Sequence, residues 1–162
     1  MKHMKKIIPT LLILILFISC FAARKTYMVD LNPVSKVIEV KENKNELYLE
    51  SNQWMIQSFK DSEKVIQFKD KESGVISGKY AFSPYPNYNT HYNMVETKYF
   101  YALIKIQIKD GATKITIDPI PHKYETLESF DINILKSNLL RDVNSMINSY
   151  EKFIENNSSE NW

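Results

Sequence analysis

The sequence contains few of the residues from which metal, redox and phosphate-binding sites are built. It has one cysteine, Cys20, and three glycines among 162 residues. One cysteine excludes an internal disulfide framework and a CxxC metal or redox site. No glycine-rich phosphate loop is present, and neither is an internal repeat or a low-complexity linker. A chain of this length therefore predicts a single domain around one hydrophobic core.

The chain also lacks a strong net charge of either sign. The formal net charge is +2, but Lys2, Lys5 and Lys6 lie in the first six residues. Without these three, 18 of the 21 basic residues remain against 19 acidic residues, which leaves a net charge of about −1. A near-neutral domain lacks the positive field with which nucleic-acid-binding proteins displace counterions from phosphates. We therefore expect no nucleic acid among its partners.

The first nineteen residues have the pattern of an export signal. Residues 1–6 are short and basic, and residues 7–18 are apolar except for Pro9 and Thr10. This apolar stretch is too short to span a bilayer as a stable helix, and it is typical of the hydrophobic region of a signal peptide. We predict that residues 1–19 form a signal peptide.

The end of this segment resembles the cleavage motif of bacterial lipoproteins. Phe17-Ile18-Ser19-Cys20 places a small residue directly before the cysteine, although an aliphatic residue is more usual where Phe17 stands. The resemblance implies cleavage before Cys20, a diacylglycerol on its thiol and an acyl chain on its new amine, which would anchor the protein in a membrane. Two alternatives remain open: cleavage after Ala22, which would leave a soluble periplasmic protein, and an uncleaved anchor.

Hydrophobic periodicity divides the rest of the chain into one domain and two flanking segments. Residues 20–33 carry little pattern and are predicted to be a lipidated tether, residues 34–155 form the domain, and residues 156–162 are expected to fray. Within the domain the pattern predicts a strand, a helix, four strands and a helix. The predicted bounds, in order, are 34–40, a helix from the cap Asn43 or Asn45 to about 60, 65–70, 75–82, 97–109, 113–118 and about 129–154.

These elements predict an α+β fold. Both helices have one apolar stripe, and the longest strand alternates apolar and polar residues, so an antiparallel sheet with both helices packed on one face buries the stripes together. Trp54 lies on the apolar stripe of the first helix, which favours core packing over ligand stacking. The other face of the sheet is expected to meet solvent or a partner, and it carries Lys105, Gln107, Lys109, Lys114 and Thr116.

Two blocks of the sequence resemble a known domain family. The first block comprises Asn45-Glu46-Leu47-Tyr48, Trp54, Phe59, Val65-Ile66-Gln67, Asp70-Lys71-Glu72, Gly74, Ile76 and Gly78-Lys79, and the second is Ile106-Gln107-Ile108-Lys109-Asp110-Gly111. They are similar to a domain of unknown function with a TBP-like fold, found mostly in envelope proteins of Bacteroidota. The resemblance implies the same order of elements. It implies no activity, ligand or catalytic residue.

The residues that enzymes use do not form a recognisable constellation in this sequence. His91 and His122 have no further metal ligand at a suitable spacing, so both are interpreted as solvated loop histidines. The serines lack the nucleophile-elbow and SxxK patterns. We therefore predict that the protein is not an enzyme and has no metal or cofactor.

A tyrosine-rich segment is the remaining candidate for recognition. Prolines and asparagines in residues 83–93 predict a long irregular loop rather than a strand. Tyrosine and asparagine together are typical of surfaces that bind proteins or sugars, and the candidate contact residues are Tyr85, Tyr88, His91 and Tyr92. The alternative is that these tyrosines fold back and cover an edge of the sheet.

The predicted function is that of a non-catalytic interaction module of the cell envelope. It would be lipid-anchored through Cys20 on the outer membrane or the periplasmic side, with an envelope protein or a glycan as its partner. The alternatives are a structural envelope component without a small ligand, and a soluble periplasmic protein that binds a glycan or peptide through the tyrosine-rich loop.

Overall fold

The fold was analysed in a computed structural model, which describes residues 25–89, 94–126 and 132–159. The predicted signal peptide, Cys20, His91 and Tyr92 lie outside these residues. The elements follow the order β1 (Lys25–Val29), β2 (Val34–Glu39), α1 (Lys44–Ser58), α2 (Ser62–Val65), β3 (Ile66–Asp70), β4 (Val75–Asn89), β5 (Met94–Lys109), β6 (Ala112–Pro119), β7 (His122–Thr126) and α3 (Ile132–Ser159).

Five of the strands form one antiparallel sheet in the order β2-β6-β5-β4-β3, and β1 pairs with β7 in a separate two-stranded ribbon. The two predicted hairpins are present, as β3–β4 and β5–β6. The mixed α+β class and the antiparallel sheet predicted from the sequence are therefore confirmed. The sequence did not predict the ribbon or the one-turn helix α2.

Local sequence signals explain where the elements begin and turn. The side chain of Asn43 accepts hydrogen bonds from the backbone N–H groups of Asn45 and Glu46, while the Glu46 carboxylate accepts one from the Asn43 N–H, which forms a capping box for α1. Gly74 and Gly111 have φ angles of +69° and +74° at the two tight turns. Residues with a Cβ rarely adopt this conformation, so glycine stabilises both turns.

Both long helices pack on the same face of the sheet. Trp54 of α1 is only 2% exposed, and its ring meets the ring of Tyr150 in α3 edge-on at 4.9 Å. The Tyr150 hydroxyl contacts Ser51 Oγ of α1 at 2.7 Å and Thr113 Oγ1 of β6 at 2.6 Å. One buried side chain thus joins the two helices and the sheet, and core packing of Trp54 is confirmed.

The first correction concerns the segment predicted to be a tether. Residues 25–29 of that segment form β1, and Val29 is 3% exposed within the core. The helix α3 has 28 residues and is about 42 Å long, whereas β6 with 8 residues spans about 27 Å. The helix therefore extends past β6, and it contacts β1 of the ribbon.

The second correction concerns the tyrosine-rich loop, because β4 continues through Asn89 and pairs with β5 as far as Met94. Two features accommodate its prolines. The register shifts between Phe82 and Pro84, which marks a β-bulge. In addition, β3 pairs with β4 only up to Gly78, so the prolines lie in an edge segment, where a residue without an N–H is tolerated.

Smaller differences concern the ends of elements. The helix α1 ends at Ser58 instead of about residue 60, and Val65, predicted to begin a strand, ends α2. Residues 156–159, predicted to fray, continue α3. The adjacent Ile154 is fully buried, which stabilises the last turns of that helix.

Candidate functional site

The face of the sheet opposite the helices, here called the open face, is the candidate functional site. Strand register defines it, because the pairing of Val75, Gln107, Lys114 and Val37 across β4, β5, β6 and β2 puts these side chains on one side. The neighbouring residues Ile76, Ile106 and Ile115 form the same kind of row on the helix-covered side, where they are fully buried. Residues on the two faces alternate along each strand.

Exposed apolar side chains are concentrated on the open face. Among the residues that the structure describes, ten large hydrophobic side chains are exposed, and five of them share this face: Val37, Phe68, Tyr99, Tyr101 and Leu103. Phe68 at the β3 edge is 52% exposed, and Leu103 on the central strand is 44% exposed. Apolar surface exposed on one face of a sheet is typical of contact sites.

Lysines lie among these apolar residues. Lys79, Lys105, Lys109 and Lys114 are all exposed on the open face. The Lys79 ammonium lies 4.9 Å from the centre of the Tyr101 ring, which is within the range of a cation–π contact. The face therefore offers aliphatic and aromatic surface together with hydrogen-bond donors. The predicted location of Lys105, Gln107, Lys109, Lys114 and Thr116 on one face is confirmed.

A shallow depression of about 470 Å³ lies at the end of the open face where the tight turns are. Val37 and Val75 supply apolar surface, and Gln107, Lys109 and Lys114 supply polar groups. The Lys44 ammonium and the Glu72 carbonyl oxygen hydrogen-bond beside it at 2.5 Å and join α1 to the β3–β4 turn. The depression gives the otherwise smooth sheet a recess.

The structure separates the four candidate contact residues of the tyrosine-rich segment. Tyr85 and Tyr88 lie in β4, where they pair with Lys98 and Val95 of β5. His91 and Tyr92 are outside the described residues. Tyr85 and Tyr88 therefore belong to an extended hairpin instead of an irregular loop, and the proposed grouping of all four residues stays a prediction.

His122 is not a loop residue. It is the first residue of β7, and its ring meets the Phe100 ring edge-on with centroids 5.3 Å apart. Partial burial lowers the pKa of His122 below its usual value, and the nearby positive charge of Lys98 lowers it further. The interpretation of His122 as a solvated loop residue was wrong, because its strand partner Val29 lies in a segment that was not expected to fold.

Two groups of polar side chains lie outside the open face. Burial raises the pKa of Tyr150 to about 12, although its two hydroxyl contacts oppose the shift. Burial also raises the pKa of Glu50, and the carboxylates of Glu42 and Glu46 raise it further.

In the described ranges, no three histidine, cysteine or acidic side chains are placed to share a metal ion. No helix in these ranges is long and apolar enough to cross a membrane.

Sequence reasoning missed the apolar half of the site. Tyr99, Tyr101 and Leu103 alternate with Phe100, Ala102 and Ile104 in one continuous hydrophobic run, in which the side that the helices cover is not evident. Side chains an even number of positions apart on a strand share a face. The even spacing of Tyr99, Tyr101 and Leu103 from Lys105 and Gln107 could therefore have assigned them to the open face. Phe68 was obscured because the register of β3 shifts between Ile66 and Phe68.

Comparison with protein families agrees with this fold. The sequence model of a family described as "Domain of unknown function (DUF4468) with TBP-like fold" matches residues 35–123, more than half of the chain. The chain belongs to the DUF4468 family. The match covers β2 to β6 and the first residues of β7, and so includes every strand of the open face. The family resemblance and the TBP-like fold predicted from the sequence are thus confirmed.

Solved structures are similar to this chain at low sequence identity. A crystal structure of a DUF4468 family protein from Bacteroides ovatus is similar with a TM-score of 0.54 and 13% identity, covering 80% of this chain and 86% of the other. A TBP-like protein from Parabacteroides distasonis has a TM-score of 0.41 and 17% identity, covering 76% of this chain and 85% of the other. No curated protein matches the sequence at a significant level.

Proposed function

We propose that this DUF4468 domain is an exported, lipid-anchored and non-catalytic binding module of the bacterial cell envelope, which contacts a protein partner through its open face. The observation that carries the proposal is that five of the ten exposed large apolar side chains of the described residues lie on that face. On a sheet with one solvated face, polar residues usually alternate with the buried ones. Exposed Tyr99, Tyr101 and Leu103 on the central strand depart from that rule.

The dimensions of the open face favour a protein over a small ligand. Five strands at a spacing of about 4.8 Å are about 19 Å across, and β5 from Tyr99 to Lys109 spans about 34 Å. This area of about 650 Å² approaches the roughly 800 Å² that each partner contributes to a standard protein–protein interface. The depression of about 470 Å³ occupies only one end of the surface.

The chemistry of the face is also that of an interface. Aromatic residues are enriched where proteins meet, and they bury a large area with few rotatable bonds. Tyr99 and Tyr101 provide such rings on the central strand, where Lys79 contacts the Tyr101 ring. Farther along the face, Lys105, Lys109 and Lys114 lie together with acidic side chains, since the register also places Glu39, Asp70 and Asp118 on this side. The partner surface is therefore expected to combine apolar groups with charged groups of both signs.

A pair of matched substitutions tests the open face as the contact surface. Leu103→Glu places a charge at its centre, whereas Leu49→Glu makes the same change at a position on α1 that is 62% exposed. The tagged full-length protein and both variants are used to capture partners from solubilised envelopes. A partner that the wild type and Leu49→Glu retain, and that Leu103→Glu loses while keeping its melting temperature, is the expected result.

Other outcomes of this capture experiment contradict the proposal. Retention of the partner by Leu103→Glu would exclude the open face as the contact surface. Capture of no specific partner by the wild type would favour a structural envelope component instead. If the partner is lost only when Tyr85 and Tyr88 of the extended hairpin are replaced, the tyrosine-rich segment is the contact site.

The lipid anchor rests on the sequence before the described residues. A basic start, an apolar run and a small residue before Cys20 together fit a lipoprotein signal. Radiolabelled palmitate should enter the wild-type protein, while Cys20→Ala should lose both the label and its retention in membranes. Equal labelling of Cys20→Ala, or a wild-type protein found in the soluble periplasmic fraction, would contradict lipidation.

A further inference from the structure

The described part of the domain begins close to the cysteine that we propose carries the lipid. Lys25 is the first residue of β1, where it pairs with Thr126 of β7, and it stands five positions after Cys20. Five residues span at most about 18 Å, whatever their conformation. The tether of residues 20–33 predicted from the sequence would have reached about 45 Å. The structure therefore shortens the connection to the membrane by more than half.

The short connection enters the fold at one particular end of the sheet. Val29 of β1 pairs with His122, and the His122 ring contacts Phe100. Phe100 in turn pairs with Phe82, at the point from which β4 and β5 extend as a hairpin past the rest of the sheet. We call this the hairpin end. A lipid on Cys20 would be attached to this end of the domain.

The tight turns lie at the opposite end, here called the turn end. The carbonyl oxygen of Gly74 accepts a hydrogen bond from the Ile108 N–H at 2.8 Å, so the β3–β4 turn lies beside the Asp110–Gly111 turn. Phe100 and Lys109 are nine residues apart along β5, which corresponds to about 30 Å. The depression on the open face, which includes Lys109, is at the turn end.

We propose that the anchored domain is oriented, with its hairpin end held against the bilayer and its turn end, including the depression, directed away from it. This orientation rests on the proposed lipid anchor. A connection of at most about 18 Å limits how far the domain can pivot. Its net charge of about −1 after the signal gives no net attraction to anionic lipids that would lay the domain flat. The depression is thereby presented to a protein partner outside the membrane.

Energy transfer from two labelled positions to the bilayer tests this orientation. Thr26→Cys on β1 and Lys71→Cys in the β3–β4 turn place a fluorophore at exposed positions of either end. Lipidated Cys20 has no free thiol and stays unlabelled. Each full-length protein is reconstituted into phosphatidylcholine vesicles that carry an acceptor dye on their headgroups. We expect transfer from Thr26→Cys to exceed that from Lys71→Cys roughly twofold or more, because the ends are about 30 Å apart.

A longer tether provides the matched control. An insert of about 24 glycine and serine residues between Ala23 and Arg24 adds a root-mean-square span of about 27 Å, and the two labels should then transfer about equally. Equal transfer with the natural tether, or stronger transfer from Lys71→Cys, would overturn the orientation. A difference that persists after the insertion would also overturn it, because tether length would not be its cause.

The same samples distinguish a wrong orientation from a missing lipid. If Cys20 itself takes up the fluorophore, it carries no lipid, and both the anchor and the orientation are excluded. If Cys20 is lipidated by mass spectrometry and the two labels transfer equally, the orientation alone is excluded. Met28→Cys, at a β1 position that is 60% exposed, replaces Thr26→Cys if that variant fails to fold.

Discussion

The two faces of β5 share one backbone and differ in nearly every other respect. On the helix-covered side, Phe100, Ala102, Ile104, Ile106 and Ile108 are at most 5% exposed. On the open side, the alternating residues are Tyr99, Tyr101, Leu103, Lys105, Gln107 and Lys109, all of them exposed. The covered side is uniformly apolar, whereas the open side combines rings, a leucine and lysines. Adjacent residues of one strand therefore lie in different environments, whose contributions substitutions can separate.

The largest effect is expected from Trp54→Ala beneath the covered face. The Trp54 ring contacts Phe59 at 5.9 Å and Tyr150 at 4.9 Å, both edge-on. Its truncation removes buried area and leaves a cavity, so the free energy of unfolding should fall by about 3–5 kcal/mol. Chemical denaturation measures this loss. An unchanged melting temperature would show that Trp54 is accessible, and would restore ligand stacking as its role.

Neighbouring truncations on β5 compare the two faces directly. Ile104→Ala should lower the free energy of unfolding by about 2–5 kcal/mol, because the side chain is fully buried. Leu103→Ala, one residue earlier and 44% exposed, should change it by less than about 1 kcal/mol. Denaturant titrations of the two variants give this comparison. Similar losses from both would mean that the open face is covered in the folded protein.

Tyr150→Phe removes the hydroxyl that links both helices to the sheet and keeps the ring. Ser51 Oγ and Thr113 Oγ1 both lose a buried partner, so a loss of about 1–3 kcal/mol is expected. Thermal denaturation of Tyr150→Phe, Ser51→Ala and the double variant forms a mutant cycle. The losses should be less than additive, since both single changes break the same contact. Fully additive losses would show that the two hydroxyls do not interact.

The smallest effect on stability is expected in the extended hairpin. Replacing Tyr85, Tyr88 and Tyr92 with serine should change the free energy of unfolding by no more than about 1 kcal/mol, as surface substitutions usually do. The reason is that Tyr85 and Tyr88 lie in β4 beyond Gly78, where pairing with β3 stops, while Tyr92 is outside the described residues. Calorimetry of the triple variant measures the change. Early unfolding would instead show that the tyrosines cover the edge of the sheet.

The sequence predicted the elements whose signals are local. Alternation along β5, the glycines at positions 74 and 111 and the capping residues around Asn43 are all readable within a few residues. The ribbon of β1 and β7 was not predictable in this way, because its strands are joined only by pairing across about 100 residues, as between Lys25 and Thr126. Pro84 and Pro86 correctly indicated that this segment is not a central strand. The inference that it is not a strand at all was wrong, because an edge strand tolerates proline.

The candidate site was predictable only in part for a related reason. The lysines of the open face are polar, so they identify which side of β5 faces solvent. Tyr99, Tyr101 and Leu103 are apolar like the buried residues beside them, and hydropathy alone does not distinguish the two groups. Which side is covered depends on where α1 and α3 pack. The lining of the depression includes Val37 of β2, which lies beside Lys114 only because β2 pairs with β6. These two strands are far apart in the sequence, so the contact is not readable from it.

Lysine footprinting tests whether one face of the sheet stabilises the domain while the other binds the partner. The full-length protein is acetylated briefly, alone and with its captured partner, and the modified lysines are quantified by mass spectrometry. We expect protection of Lys79, Lys105, Lys109 and Lys114 on the open face, with no change at Lys60, Lys64 and Lys152, which are also exposed. Protection of this second group with the first unchanged would contradict it.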